Sequence, residues 1–167
     1  MLKVIVTVIS LIIVSVFILF GFKSFKSRTG ESAGIVDSRL TKCSSKPNCV
    51  CSEFSGTTHY IEPLALPANV KDSDAVIAVL VDIIEGSGGV VKSIIKENRY
   101  IAAEFSSRIL GFVDDFEVRI DMEEGLVHFR SASREGYSDF GVNKARVRLI
   151  TSQLDKELTK IKESVDA

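Results

Sequence analysis

The sequence predicts a two-layer α+β sandwich behind one N-terminal transmembrane helix. Three observations predict it. An almost unbroken apolar run extends from Leu2 to Phe20, four strand-like runs follow one another between residues 90 and 133, and the C-terminal region carries an apolar stripe at helical spacing. Consecutive strands with short turns make an antiparallel sheet, and two amphipathic helices can cover one of its faces, in the order β-α-β-β-β-β-α.

The first element is the apolar run. Leu2–Phe20 is Leu, Ile, Val and Phe broken by Lys3, Thr7, Ser10 and Ser15. As a helix it rises roughly 28 Å, against about 30 Å of hydrocarbon core. A cleaved signal peptide would have a shorter apolar region followed by small residues, whereas Phe22-Lys23 follows here at once. Residues 1–22 are therefore expected to be an uncleaved anchor that enters the bilayer through residues 2–20. Orientation is a contest. Lys23, Lys26 and Arg28 favour a cytoplasmic domain by the positive-inside rule, while the short N-terminal tail and the cysteines favour export. The expectation is a single-pass membrane protein with an extracytoplasmic domain.

Charge narrows the function classes. The net charge is −1, but the first 29 residues hold four basic residues and no acid, which leaves 17 basic against 22 acidic residues in 30–167. That balance argues against a nucleic-acid partner. Residues 23–40, rich in Lys, Ser, Gly and Arg, read as a tether, and 41–167 as the folded domain.

Within that domain, residues 41–58 read as irregular, with a turn at Pro47-Asn48, and His59-Tyr60-Ile61 as a short strand. Asp72-Ser73-Asp74 offers capping oxygens to a helix whose apolar face is Val76, Ile77, Leu80, Ile83 and Ile84, stopped by Gly86, Gly88 and Gly89. The strand runs are Val90 to Lys96, Arg99 to Ser107, Asp114 to Asp121 and Leu126 to Ser133. A four-residue turn over Met122–Gly125 pairs Val127 with Ile120 and Phe129 with Val118. It also sets Glu117 opposite Arg130 on the other face. A one-residue slip destroys both matches. Val147, Ile150, Leu154, Leu158, Ile161 and Val165 form one stripe on a long helix from about Asn143, its expected N-cap, to Glu163.

Few residues suggest chemistry. Cys43 and Cys49 can close a short loop as a disulfide in an exported domain, which leaves Cys51 over. Buried thiols, or a metal set completed by His59, are the alternatives. His128 lies on the strand face opposite Val127 and Phe129 and reads as structural. Asp114 and Asp115 are adjacent on a strand and point to opposite faces, so they do not converge. No catalytic constellation, metal set or cofactor motif is recognisable. The densest polar stretch runs from Arg130 to Asn143, from a strand end into a helix N-terminus. There Arg130, Ser131, Ser133, Arg134, Tyr137, Ser138, Asp139 and Asn143 can hold a small anion. The alternative is internal: Asp139 or Asn143 caps the helix, and the arginines pair with Asp114, Asp115 or Glu117.

Two stretches carry a family resemblance. Cys43-Ser44-Ser45-Lys46-Pro47-Asn48-Cys49-Val50 is one. Gly111-Phe112-Val113-Asp114-Asp115, with Arg130-Ser131-Ala132-Ser133-Arg134 and Gly136-Tyr137-Ser138-Asp139 through Gly141-Val142-Asn143, is the other. His59 before Ile61 and Pro63-Leu64 also fits. The chain over about 40–155 resembles the domain of unknown function 1499 family. Cys51 stands where a serine is usual, which places it outside a shared bridge. The resemblance implies a small domain often found behind a membrane or export segment and implies no activity.

The functional expectation is a non-enzymatic, membrane-anchored domain binding a small anion or a membrane-protein partner. The alternatives are an enzyme on an anionic substrate, using Arg134 and Tyr137 with Asp115 or Asp139, and a structural module of a membrane complex.

Overall fold

The computed structural model describes residues 1–108 and 111–165, with side chains through Lys160. Helix α1 (Leu2–Arg28) is followed by two short strands, β1 (Ile35–Val36) and β2 (Arg39–Leu40), that pair as a hairpin. Strand β3 (Cys49–Cys51) and strand β4 (Leu64–Ala65) precede helix α2 (Ser73–Gly86). Strands β5 (Val90–Ile95), β6 (Tyr100–Ser106), β7 (Val113–Asp121) and β8 (Leu126–Ser133) then lead to helix α3 (Val142–Val165). The main sheet is antiparallel in the order β3-β8-β7-β6-β5, and β4 also pairs with β8. Thus β3 and β4 lie end to end along one edge of β8, opposite Arg130–Ala132 and Leu126–Val127 respectively.

The expected register holds. Ile120 faces Val127, Val118 faces Phe129 and Glu117 faces Arg130. Even-numbered β7 side chains Phe116, Val118 and Ile120 meet the helices, with Val127 and Phe129 beside them. Leu80 and Ile84 from α2 and Val147, Ile150, Leu154 and Leu158 from α3 close this core. Each is fully or almost fully buried, which stabilises the fold by roughly 1.5–3 kcal/mol per large side chain. The Asp72 carboxylate caps α2 by accepting from Asp74 N and Ala75 N. At its other end Gly89 lets the chain turn tightly into β5, because a Cβ there would fall 2.7 Å from the Phe105 ring.

Three expectations are corrected. Residues 23–40 are not a loose tether: helix continues to Arg28, and the β1–β2 hairpin ends on the fully buried Leu40. Residues 49–51, expected to be irregular, are a sheet strand. His59–Ile61 is not a strand; Tyr60 makes one isolated bridge to Cys51, and the strand falls after Pro63.

The largest difference concerns the second sheet face. Alternation marks it as polar, yet it is covered. Leu40 packs with Cys51, Tyr100 and Ala102 in a second small core, flanked by Ile35, Cys43 and Phe54. The central strands β6, β7 and β8 are therefore largely buried on both faces, while β5 is left mostly exposed.

Candidate functional site

Odd-numbered residues of β7 and even-numbered residues of β8 place a charged layer on the covered face. Glu117 is fully buried. Its Oε2 accepts from Arg130 Nη1, and its Oε1 accepts from Tyr100 Oη at 2.8 Å and Gly34 N at 2.7 Å. Burial, with Glu117 alongside, pushes the Tyr100 phenol well above its ordinary range, so it stays a donor. One rung along, Arg134 binds Asp115 through Nε and Nη2, reaches Glu104 at 2.7 Å and donates through Nη1 to Ser27 O at 3.0 Å. One rung the other way, Arg119 grips Glu53 with two donors, at 2.7 and 3.2 Å, and reaches Asp121.

The end of α1 is built into this layer. Val113 N donates to Ser27 Oγ at 2.7 Å, and Ser24 and Ser27 are buried. Lys26 pairs with Glu135 at 2.9 Å, and Arg28 Nε donates to Gly111 O. Gly111 has φ +64, and a Cβ there would collide with the Arg28 guanidinium.

The predicted loop residues divide between the two sheet faces. Arg130 and Arg134 join the charged layer. Ser131, Ser133 and Asn143 join a separate network against α3. There Asn143 Oδ1 accepts from Ser131 Oγ and Arg146 Nη1, both at 2.6 Å, and Nδ2 donates to Asn48 O and Ser133 Oγ at 3.0 Å. Arg146 continues to Asp114 at 2.8 Å and lies over the Phe105 ring. Asn143 is thus a buried hub inside the first turn. The cap is Asp139, whose carboxylate accepts from Gly141 N and Asn143 N. Asp114 and Asp115 do point apart, one to Arg146 and the other to Arg134. Tyr137 is exposed, and Ser138 Oγ accepts from Phe140 N. Of Arg134, Tyr137 and Asp115 or Asp139, Arg134 and Asp115 meet as an ion pair, whereas Asp139 is engaged by the Gly141 and Asn143 backbone and Tyr137 is exposed.

Asn48, Glu53, Arg119 and Arg146 were not singled out from sequence. Asn48 had a signal, since it sits in the motif beside Cys49. Arg146 had one too, standing three residues from Asn143 on one helix face.

The cysteines settle simply. Cys43 and Cys49 are disulfide-bonded, and Cys51 is a buried free thiol pushed by desolvation to about 11. His59 Nδ1 lies 3.1 Å from Cys49 O, turned to a carbonyl. Opening the short loop with Cys43→Ala should cost about 2 kcal/mol by the chain-entropy relation, read from urea midpoints. Iodoacetamide near neutral pH should leave Cys51 unlabelled in the native protein and label it after unfolding. Rapid native labelling would contradict its burial.

His128 is buried, with Nδ1 3.2 Å from Ser52 Oγ, which accepts from Phe129 N. Desolvation lowers its pKa below 6.5, outweighing the pull of Glu53. The unfolded state therefore binds the proton more readily, and this contribution is full above the unfolded value of about 6.5 and lost as pH falls through the depressed folded value. His128→Asn should flatten the stability difference between mildly acid and neutral pH; an unchanged slope in urea titrations would assign it to other groups.

Fold and site together define a small α+β domain with a charged layer buried on the sheet face away from its helices and one long apolar N-terminal helix. The profile of the family described as protein of unknown function DUF1499 matches residues 39–154, more than half of the chain, and the chain belongs to that family. No curated protein matches the chain. The N-terminal helix, Leu2–Arg28, is long and apolar enough to cross a membrane.

Proposed function

We propose that this is a non-catalytic, membrane-anchored, extracytoplasmic domain that holds a binding surface at fixed height above the bilayer for a protein partner in the same membrane. The carrying observation is the junction. Ser27 completes hydrogen bonds at Val113, Arg134 holds the Ser27 carbonyl and Lys26 holds Glu135. A flexible tether lets a domain search; a docked one fixes its orientation. The disulfide supports an oxidising compartment. The arginines that suggested an anion clamp or an active site are largely spent on internal carboxylates, which favours a scaffold role for that layer.

A groove of about 550 Å³ between residues 60–64 and α3, lined by Ile61, Leu64, Lys144 and Arg148, is a probe position for the partner surface. A photo-crosslinking residue at Arg148 in the full chain, in its own membrane, should give a discrete product. A Gly-Ser insertion between Gly21 and Phe22 should abolish that product while leaving the domain folded. A product indifferent to the insertion, or none at all, overturns the proposal.

A second reading rests on Arg130. Among the described residues its guanidinium makes one hydrogen bond and its buried Nε has no partner, and it lines a cavity of about 340 Å³ with Lys26, Ser133 and Arg134 beside the carboxylates of Glu31, Asp115 and Glu135. A small anion fits that spare donor. Inorganic phosphate should then raise the melting temperature of the native protein but not of Arg130→Lys; equal shifts would discard this reading.

A further inference from the structure

We propose that the domain rests on the bilayer surface through one end of its sheet, with Phe112, Tyr137 and Phe140 seated in the lipid interface; this rests on the membrane-anchored reading. The apolar helix fixes where lipid lies. The Phe112 ring packs edge-on against Phe20 of α1 with centroids 6.4 Å apart, while Arg28 reaches Gly111. Eight residues of helix separate those contacts, roughly 12 Å of rise. The chain entering β7 therefore lies along α1 as far back as the final residue of the apolar run.

The loop after β8 leaves from the same end of the sheet. Its first residues are held to α1 by Arg134 on the Ser27 carbonyl and Glu135 on Lys26. Beyond them Phe140 is 98% exposed and Tyr137 72% exposed. Phe140 is also held at φ +55, a conformation that disfavours a bulky side chain, by the turn that Ser138 and Asp139 brace. An aromatic ring displayed this way into water forgoes the stabilisation of burial. Lipid beside the anchor supplies that burial. Aromatic rings concentrate at membrane interfaces, and Lys23, Lys26 and Arg28 stand at the height of the headgroups, where basic residues meet anionic lipid. The opposite end of the sheet, the turn Met122–Gly125, carries Glu123 and Glu124 and is suited to water.

The chain has no tryptophan, so one introduced residue reports one place. Phe140→Trp, Glu123→Trp and Leu11→Trp would be made in the full chain and reconstituted in vesicles of mixed neutral and anionic phospholipid, with and without brominated acyl chains. The seat predicts blue-shifted emission and bromine quenching for Phe140→Trp, none for Glu123→Trp, and strong quenching for Leu11→Trp. Solvent-like, unquenched Phe140→Trp beside quenched Leu11→Trp overturns the seat and leaves the anchor standing. Unquenched Leu11→Trp removes the anchor reading and the seat with it. Quenching of Glu123→Trp overturns the end-on orientation.

Discussion

Glu117→Gln is expected to destabilise the domain by about 3–5 kcal/mol, the usual cost of leaving one partner of a buried ion pair uncompensated. Glutamine preserves the shape and can still accept from Tyr100 and Gly34. What it removes is the negative charge against Arg130, whose guanidinium, among the described residues, hydrogen-bonds Glu117 alone and whose Nε has no partner there. The loss should appear as a lower urea midpoint at unchanged slope. Replacing both Glu117 and Arg130 by methionine should recover much of it, because the cost lies in the unpaired charge rather than in the absence of a salt bridge. A loss below about 1 kcal/mol for Glu117→Gln would mean that Arg130 is solvated from the neighbouring cavity, and would strengthen the anion reading.

Asn143→Leu should be similarly damaging, by about 3 kcal/mol or more, since buried polar groups left without partners cost about 1–3 kcal/mol each. Leucine fills the space but leaves the Asn48 carbonyl with Ser133 N alone, and takes away the acceptor shared by Ser131 and Arg146. Asn143→Asp keeps that acceptor and loses only the two donor bonds, so its loss should be smaller. Helix content should survive in both variants, because the Asp139 side chain caps α3. Circular dichroism with urea unfolding separates these effects. Melting of α3 in the native state would show that the hub, not the cap, starts the helix.

The helix-facing half of the fold was legible because its signals are periodic. Val118 and Ile120 alternate with Glu117 and Arg119, the turn at Met122–Gly125 fixes the register, and the stripe from Val147 to Leu158 repeats every three or four residues. The covered half was not legible, for a physical reason. Residues 29–54 place Ile35, Leu40, Cys43, Cys51 and Phe54 into a small irregular core, with no period to detect. Much of their attachment is polar: Gly34 N on Glu117, Leu40 N and Arg119 on Glu53, Ser27 on Val113. A docked segment of that kind has the composition of a loose one. The same gap left the loop arginines between an internal and a ligand-binding reading. Their pairing with Asp115 and Glu117 follows from strand alternation, but that they are shut away from solvent depends on a cover the pattern does not announce. Asn143 shows the opposite case: its residue type favours caps, yet of the two capping candidates it is Asp139, four residues earlier, that does the capping.

The junction at Ser27 has a mechanical meaning. Its hydroxyl meets the first residue of β7, and its carbonyl is held by an arginine that also grips β6 and β7 through Glu104 and Asp115. The apolar helix and the central strands thus form one lever. On the proposed membrane-anchored reading, a change in bilayer thickness that alters the tilt of the helix would carry the far ends of β7 and β8, around Glu123, with it.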